Sequence, residues 1–123
     1  MDFKSLMAYQ KSFDLSMAIF NLSKSFPKEE VYSLTDQIRR SSRSVLANIA
    51  EAYRKRRYPR HFISKLTDAD GENSEIIVWL EYAFACEYFN RDNYGKLLKE
   101  GEEIGKLINY MINNPDKFGV QAE

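Results

Sequence analysis

The sequence predicts an all-α protein, an up-and-down antiparallel four-helix bundle that forms a single domain over residues 1–123. Two observations lead to this prediction. Apolar residues recur at alternating spacings of three and four along four separate segments, which is the period of an amphipathic helix, and short connections separate the segments. The composition, with 44% apolar and 29% charged residues, is that of a globular domain. Long helices joined by short connections pack as antiparallel neighbours.

The first predicted helix covers residues 5–25. It ends at Phe26-Pro27, because a residue that precedes proline is disfavoured from helical backbone angles. Its larger apolar residues form one stripe, which we expect to face the core. This stripe consists of Leu6, Tyr9, Phe13, Met17 and Phe20, widened by Ile19 and Leu22.

The second predicted helix covers residues 34–57, and we expect Ser33 to cap it together with Asp36. Pro59 ends this helix and suits the first turn of the next one. The face expected to pack consists of Leu34, Ile38, Ser41, Val45, Asn48 and Ala52. At 3.6 residues per turn, a sector of roughly 100° on the opposite face holds Arg39, Arg40, Arg43, Arg54 and Arg57.

The third predicted helix covers residues 59–89, and its second half has few polar positions anywhere around the helical wheel. A helix that is apolar on nearly every side must be covered on more than one side, so this half predicts self-association. Cys86 lies in this half and is expected to be a buried apolar residue; as the only cysteine, it excludes an intramolecular disulfide. The stripe expected in the core is Phe62, Leu66, Ala69, Asn73, Ile76, Leu80 and Ala83.

The fourth predicted helix covers residues 91–113, with Asn90 as its cap and Asn114-Pro115 at its end. The residues that follow, 114–123, are expected to fray. The stripe of this helix consists of Tyr94, Leu97, Gly101, Ile104, Ile108 and Met111.

Charge is segregated along the chain, although the formal net charge is zero. Residues 39–65 contain nine basic residues and one acid, whereas residues 66–103 contain ten acids and three basic residues. Guanidinium groups match the geometry of phosphates, so the basic face of helix two predicts contact with a nucleic-acid backbone; no aromatic residues are interleaved with it in the sequence. The candidate binding residues are Arg39, Arg40, Arg43, Arg54, Lys55, Arg57 and Arg60. The alternative is that these arginines pair with acids of helix three in a neighbouring subunit.

Two asparagines fall within apolar stripes, Asn48 on helix two and Asn73 on helix three. A buried amide is costly unless its hydrogen bonds are met. We therefore expect the two amides to face each other, or one amide to pair with Ser41, and so to set the register of the helices.

The sequence predicts no catalytic residues, no metal and no cofactor. Di-metal bundles use a glutamate three residues before a histidine, and the only histidine here, His61, has no glutamate at that position. Arg56-x4-His61 resembles the Arg-x4-6-His signature of the all-helical nucleotide-binding ribonucleases, which makes a ribonuclease the third and least favoured hypothesis. The longest apolar run is too short to span a bilayer and the start of the chain lacks an apolar signal region, so we expect a cytoplasmic protein with no membrane partner.

The central segment of helix two, QIRRSSRSVLANIAEA over residues 37–52, carries a more specific resemblance. It is similar to the Q-I-R-R-A-x-x-S-I-x-x-N-I-A-E-G signature of the bacterial four-helix bundle proteins of 23S ribosomal RNA intervening sequences. Phe26-Pro27, Ala69-x-Gly71 and Trp79-Leu80 extend the match. The signature's last glycine is replaced here by Ala52.

The resemblance implies a left-handed bundle and a homopentameric ring. A relative in the same family is the accessory subunit of diversity-generating retroelements, which implies nucleic acid and a reverse transcriptase as partners. That subunit is strongly basic, whereas this chain has no net charge. We therefore expect a non-enzymatic homo-oligomer that binds structured RNA, ribosomal RNA or a ribonucleoprotein, with a protein-interaction scaffold as the alternative.

Overall fold

A computed structural model describes residues 2–121 and consists of four helices joined by short connections. The helices are α1 (Met7–Ser23), α2 (Leu34–Arg54), α3 (Pro59–Ala85) and α4 (Arg91–Asn113), and three short 3-10 helices cover Phe3–Ser5, Lys28–Glu30 and Pro115–Phe118. No strand occurs in this described part of the chain. The predicted all-α, up-and-down four-helix bundle is confirmed.

Consecutive helices run antiparallel, and α1 closes the bundle by packing on α4. In contacts between neighbouring helices, residues nearer the end of one helix pair with residues nearer the start of its neighbour, and middle residues pair with middle residues, as an antiparallel arrangement requires. Such pairs are Ser16 with Ser42, Ser23 with Arg39, Glu51 with Lys65, Asp70 with Asn109, and Phe84 with Tyr94.

The predicted stripes of α2, α3 and α4 form the core. All seven stripe residues of α3 are buried, and so are five of the six predicted on α4, with Tyr94 half-buried. On α2 the stripe is buried except for Asn48, which is half-buried, while Ile49 is fully buried. The spacing of apolar residues therefore located three of the four packing faces.

The packing face of α1 was predicted only in part. Leu6 and Ile19 of the expected stripe are buried, at 7% and 2% exposed. Phe13 and Met17 are 47% and 45% exposed, and Tyr9 and Phe20 are half-buried. Small side chains cover most of the face that α1 turns to the core, which consists of Ala8, Ser12, Leu15, Ser16, Ile19 and Ser23. A row of large apolar side chains, Tyr9, Phe13, Met17 and Phe20, is left at the surface, and we call it the α1 apolar row.

Two helices end earlier than predicted. α2 ends at Arg54, three residues before the predicted end, and α3 ends at Ala85, four residues before it. At the end of α3, Glu87 N–H donates to Phe84 C=O and Tyr88 N–H to Ala83 C=O, which is the Schellman pattern, with Glu87 in the left-handed region at φ 62°. Cys86 therefore leaves the helix and is exposed, so its predicted burial is wrong.

The caps were predicted with mixed success. Asn90 Oδ1 accepts a hydrogen bond of 2.8 Å from Asn93 N–H and caps α4 as expected. Ser33 forms no side-chain cap on α2. Instead, Glu30 Oε1 accepts from Leu34 N–H at 3.3 Å, so an acid of the preceding 3-10 helix takes the place of the serine.

The segment after α4 is ordered, contrary to the predicted fraying. Pro115–Phe118 forms a 3-10 helix, Gly119 ends it in the left-handed region at φ 84°, and Val120 is 4% exposed. Arg56 fastens this segment to the bundle, because its Nη1 donates to Phe118 C=O at 3.3 Å. The last two residues of the predicted tail lie outside the described residues.

The two asparagines do not face each other, so the predicted amide pair is wrong. Asn73 is buried, and its Nδ2 donates to the carbonyl of Gly101 on α4 at 2.9 Å. Asn48 donates to Ser44 C=O one turn earlier in its own helix, at 2.9 Å. Of these two asparagines, only Asn73 joins two helices through its amide. Ser41 is buried on α2 and interacts with Glu72 of α3.

Replacing Asn73 tests the contribution of this cross-helix bond. We expect Asn73→Ala to lower the free energy of unfolding by about 1–3 kcal/mol, because it removes a buried hydrogen bond between α3 and α4. Asn48→Ala is the control and should change it by less than about 1 kcal/mol, since that amide is half-buried and bonds within one helix. Urea unfolding followed by circular dichroism measures both; equal losses in the two variants would contradict the assigned role.

Candidate nucleic-acid interface

The arginines of α2 do not all share one exposed sector. Arg40, Arg43 and Arg54 are exposed on the side of α2 that faces away from the core. Arg39 is half-buried beside α1, where its Nε donates to Ser23 Oγ at 2.8 Å. Arg57 follows the end of the helix, so the predicted sector does not contain it. The structure thus divides the predicted basic face into a lateral part on α2 and a second part beyond its end.

Aromatic rings position several of the basic side chains. Arg39 Cζ and Arg43 Cζ lie 4.9 and 5.9 Å from the ring centroid of Phe20, and Arg54 Cζ lies 5.5 Å from that of Phe3. A cation over an aromatic face is held by the quadrupole of the ring. Such guanidinium groups lose less conformational freedom when they bind a phosphate than unrestrained ones do.

The aromatic rings come from a part of the chain that sequence spacing did not connect with the arginines. Phe20 belongs to the α1 apolar row, and Phe3 to the first 3-10 helix. The antiparallel packing of α1 on α2 brings these rings against the arginines. No spacing rule within one segment could have shown this, because the partners lie on different elements.

Intrachain acids do not neutralise this face. Within residues 2–121, none of the arginines at positions 39, 40, 43, 54 and 57 forms an ion pair with a carboxylate. Ion pairs do occur elsewhere, between Lys11 and Glu103 at 3.4 Å and between Lys65 and Glu51 at 3.5 Å. The charge on the outer side of α2 is therefore available to a partner molecule.

A second basic group lies where α2 turns into α3. Arg57 and Arg60 are exposed there, and Lys55 is half-buried. An open cavity of about 320 Å³ lies beside them, and we call it the corner cleft. Its lining consists of Glu51, Lys55, His61, Ser64 and Lys65.

The two residues of the Arg-x4-His motif line different cavities. Arg56 lies 3.7 Å over the ring of Tyr53 and donates through Nε to Tyr53 C=O at 2.8 Å, in addition to its bond to the C-terminal segment. It lines a cavity with Asp2, Phe3, Tyr53 and Arg54. His61 lines the corner cleft. The contacts of Arg56 are those of a residue that holds the fold together.

The outer face of α3 carries acids and exposed apolar side chains. Asp68 and Glu75 are exposed, and Val78 and Tyr82 are 55% and 53% exposed. We call these four residues the α3 outer face. Glu72, half-buried beside it, has a raised pKa, because burial and the nearby Glu75 carboxylate disfavour its charged form; its hydrogen bond with Ser41 opposes the rise.

Among residues 2–121, no group of three or more His, Cys, Asp or Glu side chains is placed to hold a metal ion. No described helix is long and apolar enough to cross a membrane.

These features define the class of the protein: a small all-α bundle in which one helix, α2, has an arginine-rich outer side. The chain belongs to the 23S rRNA-intervening sequence protein family, whose sequence profile matches residues 4–110. It is similar to a protein of unknown function from the S23 ribosomal protein family of Bacteroides thetaiotaomicron, whose crystal structure has been solved. The two chains are 34% identical with a TM-score of 0.78, and the match covers 86% of this chain and 95% of the other. No curated protein matches the chain significantly.

The pKa of Glu72 predicts a dependence of stability on pH. The folded state raises this pKa above its usual 4.5, so the folded protein binds the proton of Glu72 more tightly than the unfolded chain does. Stability therefore falls as the pH rises from 4.5 through the raised pKa, where Glu72 becomes charged in the folded state. We expect Glu72→Gln to raise the melting temperature at pH 7, and the gain to disappear below pH 4.5, where Glu72 is protonated in both states. Glu81→Gln, an exposed change on the same helix, is the control. A gain that is independent of pH would contradict this explanation.

Proposed function

We propose that this protein is a non-enzymatic, oligomeric RNA-binding bundle that contacts the backbone of a structured RNA through the outer side of α2. Arg40, Arg43 and Arg54 provide the exposed contacts, and Arg39 supports them from the edge beside α1. The observation that carries the proposal is that these guanidinium groups have no carboxylate partner within residues 2–121, while aromatic rings position three of them.

The dimensions of the face suit a nucleic-acid backbone. From Arg39 to Arg54 the helix rises by about 22 Å, at 1.5 Å per residue. One strand of a B-form duplex carries one phosphate per about 3.4 Å of helix axis, so a face of this length covers the axial rise of about six base pairs. Because the whole chain has no net charge, we expect its binding to depend on this local face and to weaken steeply with salt.

Names within the family support RNA as the partner. The family is described by the intervening sequence of 23S ribosomal RNA, and the Bacteroides relative is assigned to a ribosomal protein family. We therefore propose ribosomal RNA or a ribonucleoprotein as the natural partner, in the bacterial cytoplasm. A reverse transcriptase is a less favoured partner, because the retroelement accessory subunit is strongly basic and this chain is neutral.

Neutralising the α2 face should weaken RNA binding selectively. We expect R40Q/R43Q/R54Q to weaken binding of a structured RNA by about tenfold or more in low salt, because each lost phosphate contact lowers the slope of log K against log salt by about 0.7–0.9. K96Q/K99Q/K106Q on α4 is the matched control: it removes the same charge from three exposed lysines and should leave binding nearly unchanged. Fluorescence anisotropy over a salt series measures both. Equal losses in the two variants, or no binding by the parent protein, would contradict the proposal.

A protein-interaction scaffold is the second candidate, and a specific observation favours it. The basic side of α2 adjoins the α1 apolar row, whereas the α3 outer face combines acids with exposed Val78 and Tyr82. The two surfaces are complementary in charge, and both are partly apolar. Contact between unlike surfaces of two copies is heterologous and forms a ring when the rotation closes. A pentamer, which the family resemblance implies, is one such ring.

Light scattering with the same arginine variant separates the two candidates. If the arginines bind RNA, R40Q/R43Q/R54Q should keep the mass of the parent oligomer while losing RNA. If they pair with acids of the next subunit, it should dissociate, and so should V78K/Y82K on the opposing surface. Y110K, which changes an exposed tyrosine of α4, should remain associated in either case. A parent protein that is strictly monomeric would contradict self-association.

A further inference from the structure

We infer that the corner between α2 and α3 binds one unpaired nucleotide of the RNA, with the base stacked on Tyr58 and a neighbouring phosphate in the corner cleft. This inference rests on the proposed RNA binding and names the kind of RNA that fits: a stem flanked by an unpaired segment. It adds an aromatic contact and a phosphate pocket to the lateral arginines.

Tyr58 has a rigid backbone and an open ring. Its N–H donates to Lys55 C=O at 2.8 Å, its carbonyl accepts from Phe62 N–H at 3.0 Å, and Pro59 follows it. The residue is 54% exposed, and its ring centroid lies 5.8 Å from that of His61. His61 contacts the ring of Tyr58 on one side, and much of the Tyr58 side chain remains open to solvent. A preorganised exposed ring of this kind is a stacking platform for a nucleic-acid base.

The corner cleft beside the ring offers donors for a phosphate. Lys55 and Lys65 supply ammonium groups, Ser64 a hydroxyl and His61 an imidazole that lines the cleft and contacts Tyr58. The cavity of about 320 Å³ has room for a phosphate group, given that one water occupies about 30 Å³. Glu51 is the acid in this lining, and Lys65 Nζ pairs with it at 3.5 Å. The ammonium group of Lys55 is then left to balance the charge of a bound anion.

Two other exposed tyrosines lack this combination. Tyr32 is 94% exposed, but it lies at the opposite end of the bundle and follows two acids, Glu29 and Glu30. Tyr82 is 53% exposed and follows Glu81 on the α3 outer face. Tyr58 is flanked in sequence by Arg57 and, beyond Pro59, by Arg60. It therefore lies within positive charge that attracts the RNA backbone.

The position of the corner decides which RNA fits. Lys55 follows Arg43 by 12 residues, so the corner lies about 18 Å along α2 from Arg43 and directly beyond Arg54. Bases within a duplex are stacked on each other and cannot cover Tyr58, whereas the bases of a loop can. A stem-loop RNA can contact both surfaces, because its stem lies along the arginines of α2 and its loop reaches Tyr58 at the corner.

Binding of two RNAs tests the inference: a stem-loop, and a blunt duplex with the same number of phosphates. We expect Tyr58→Ala to weaken stem-loop binding by about 5-fold to 150-fold, the range measured for a lost base stack, and to change duplex binding less than about twofold. Tyr58→Phe should retain the affinity of the parent, because the ring remains. Tyr32→Ala is the matched control and should also retain it.

A second variant tests the cleft independently of the ring. We expect Lys55→Gln to lower the salt slope of stem-loop binding by about 0.7, whereas Lys96→Gln on α4 should not change it. Thermal unfolding confirms that each variant is folded. The inference is overturned if Tyr58→Ala weakens both RNAs equally or neither, or if Lys55→Gln leaves the slope unchanged. Failure of the proposed function is different: the parent protein then binds neither RNA, or binds without dependence on the α2 arginines.

Discussion

The packing of α2 against α3 is the interaction on which the rest of the structure depends. It is the most extensive contact between any two helices, and both helices carry fully buried residues, among them Ile38 and Ile49 on α2 and Phe62 and Leu66 on α3. Burying such side chains contributes on the order of 1.5–3 kcal/mol each. Because α2 gives one side to α3 and another to α1, its remaining side must face outward. Arg40, Arg43 and Arg54 occupy that side, so the burial of one face of the helix exposes the other.

Polar contacts between helices distinguish this bundle from a purely apolar one. Ser16 and Ser42 join α1 to α2 at 3.2 Å, Ser41 interacts with Glu72 across α2 and α3, and Asn73 donates to a carbonyl of α4. Each contact requires a particular alignment of two helices, whereas apolar contacts tolerate small shifts along the axis. These bonds therefore favour one register of all four helices, and the register places Phe20 beneath the arginines of α2.

Local arrangement, rather than total charge, creates the surfaces on which function depends. The chain has equal numbers of acidic and basic residues, yet the outer side of α2 and the corner are basic while the α3 outer face is acidic. Rings hold Arg39, Arg43 and Arg54 in position, and Tyr58 stands beside a cleft lined by two lysines. A chain without net charge gains no long-range attraction for polyanions, so such surfaces act at short range and through geometry.

The sequence by itself determined the fold class, the packing faces of α2, α3 and α4, the cap at Asn90 and the family, because helical periodicity and local capping depend on neighbours in the chain. It also showed that the arginines are concentrated on one helix. It did not show that α1 turns its smaller residues inward, that α3 ends before Cys86, or that Val120 is buried. Only the tertiary structure decided these points. It also decided that arginines lie over the rings of Phe20 and Phe3, and that Tyr58 lies beside the corner cleft. The physical reason is that most of these features depend on contacts between elements that are distant in sequence. The early end of α3 depends on a left-handed residue that is not glycine. Periodicity within one segment predicts neither kind of feature.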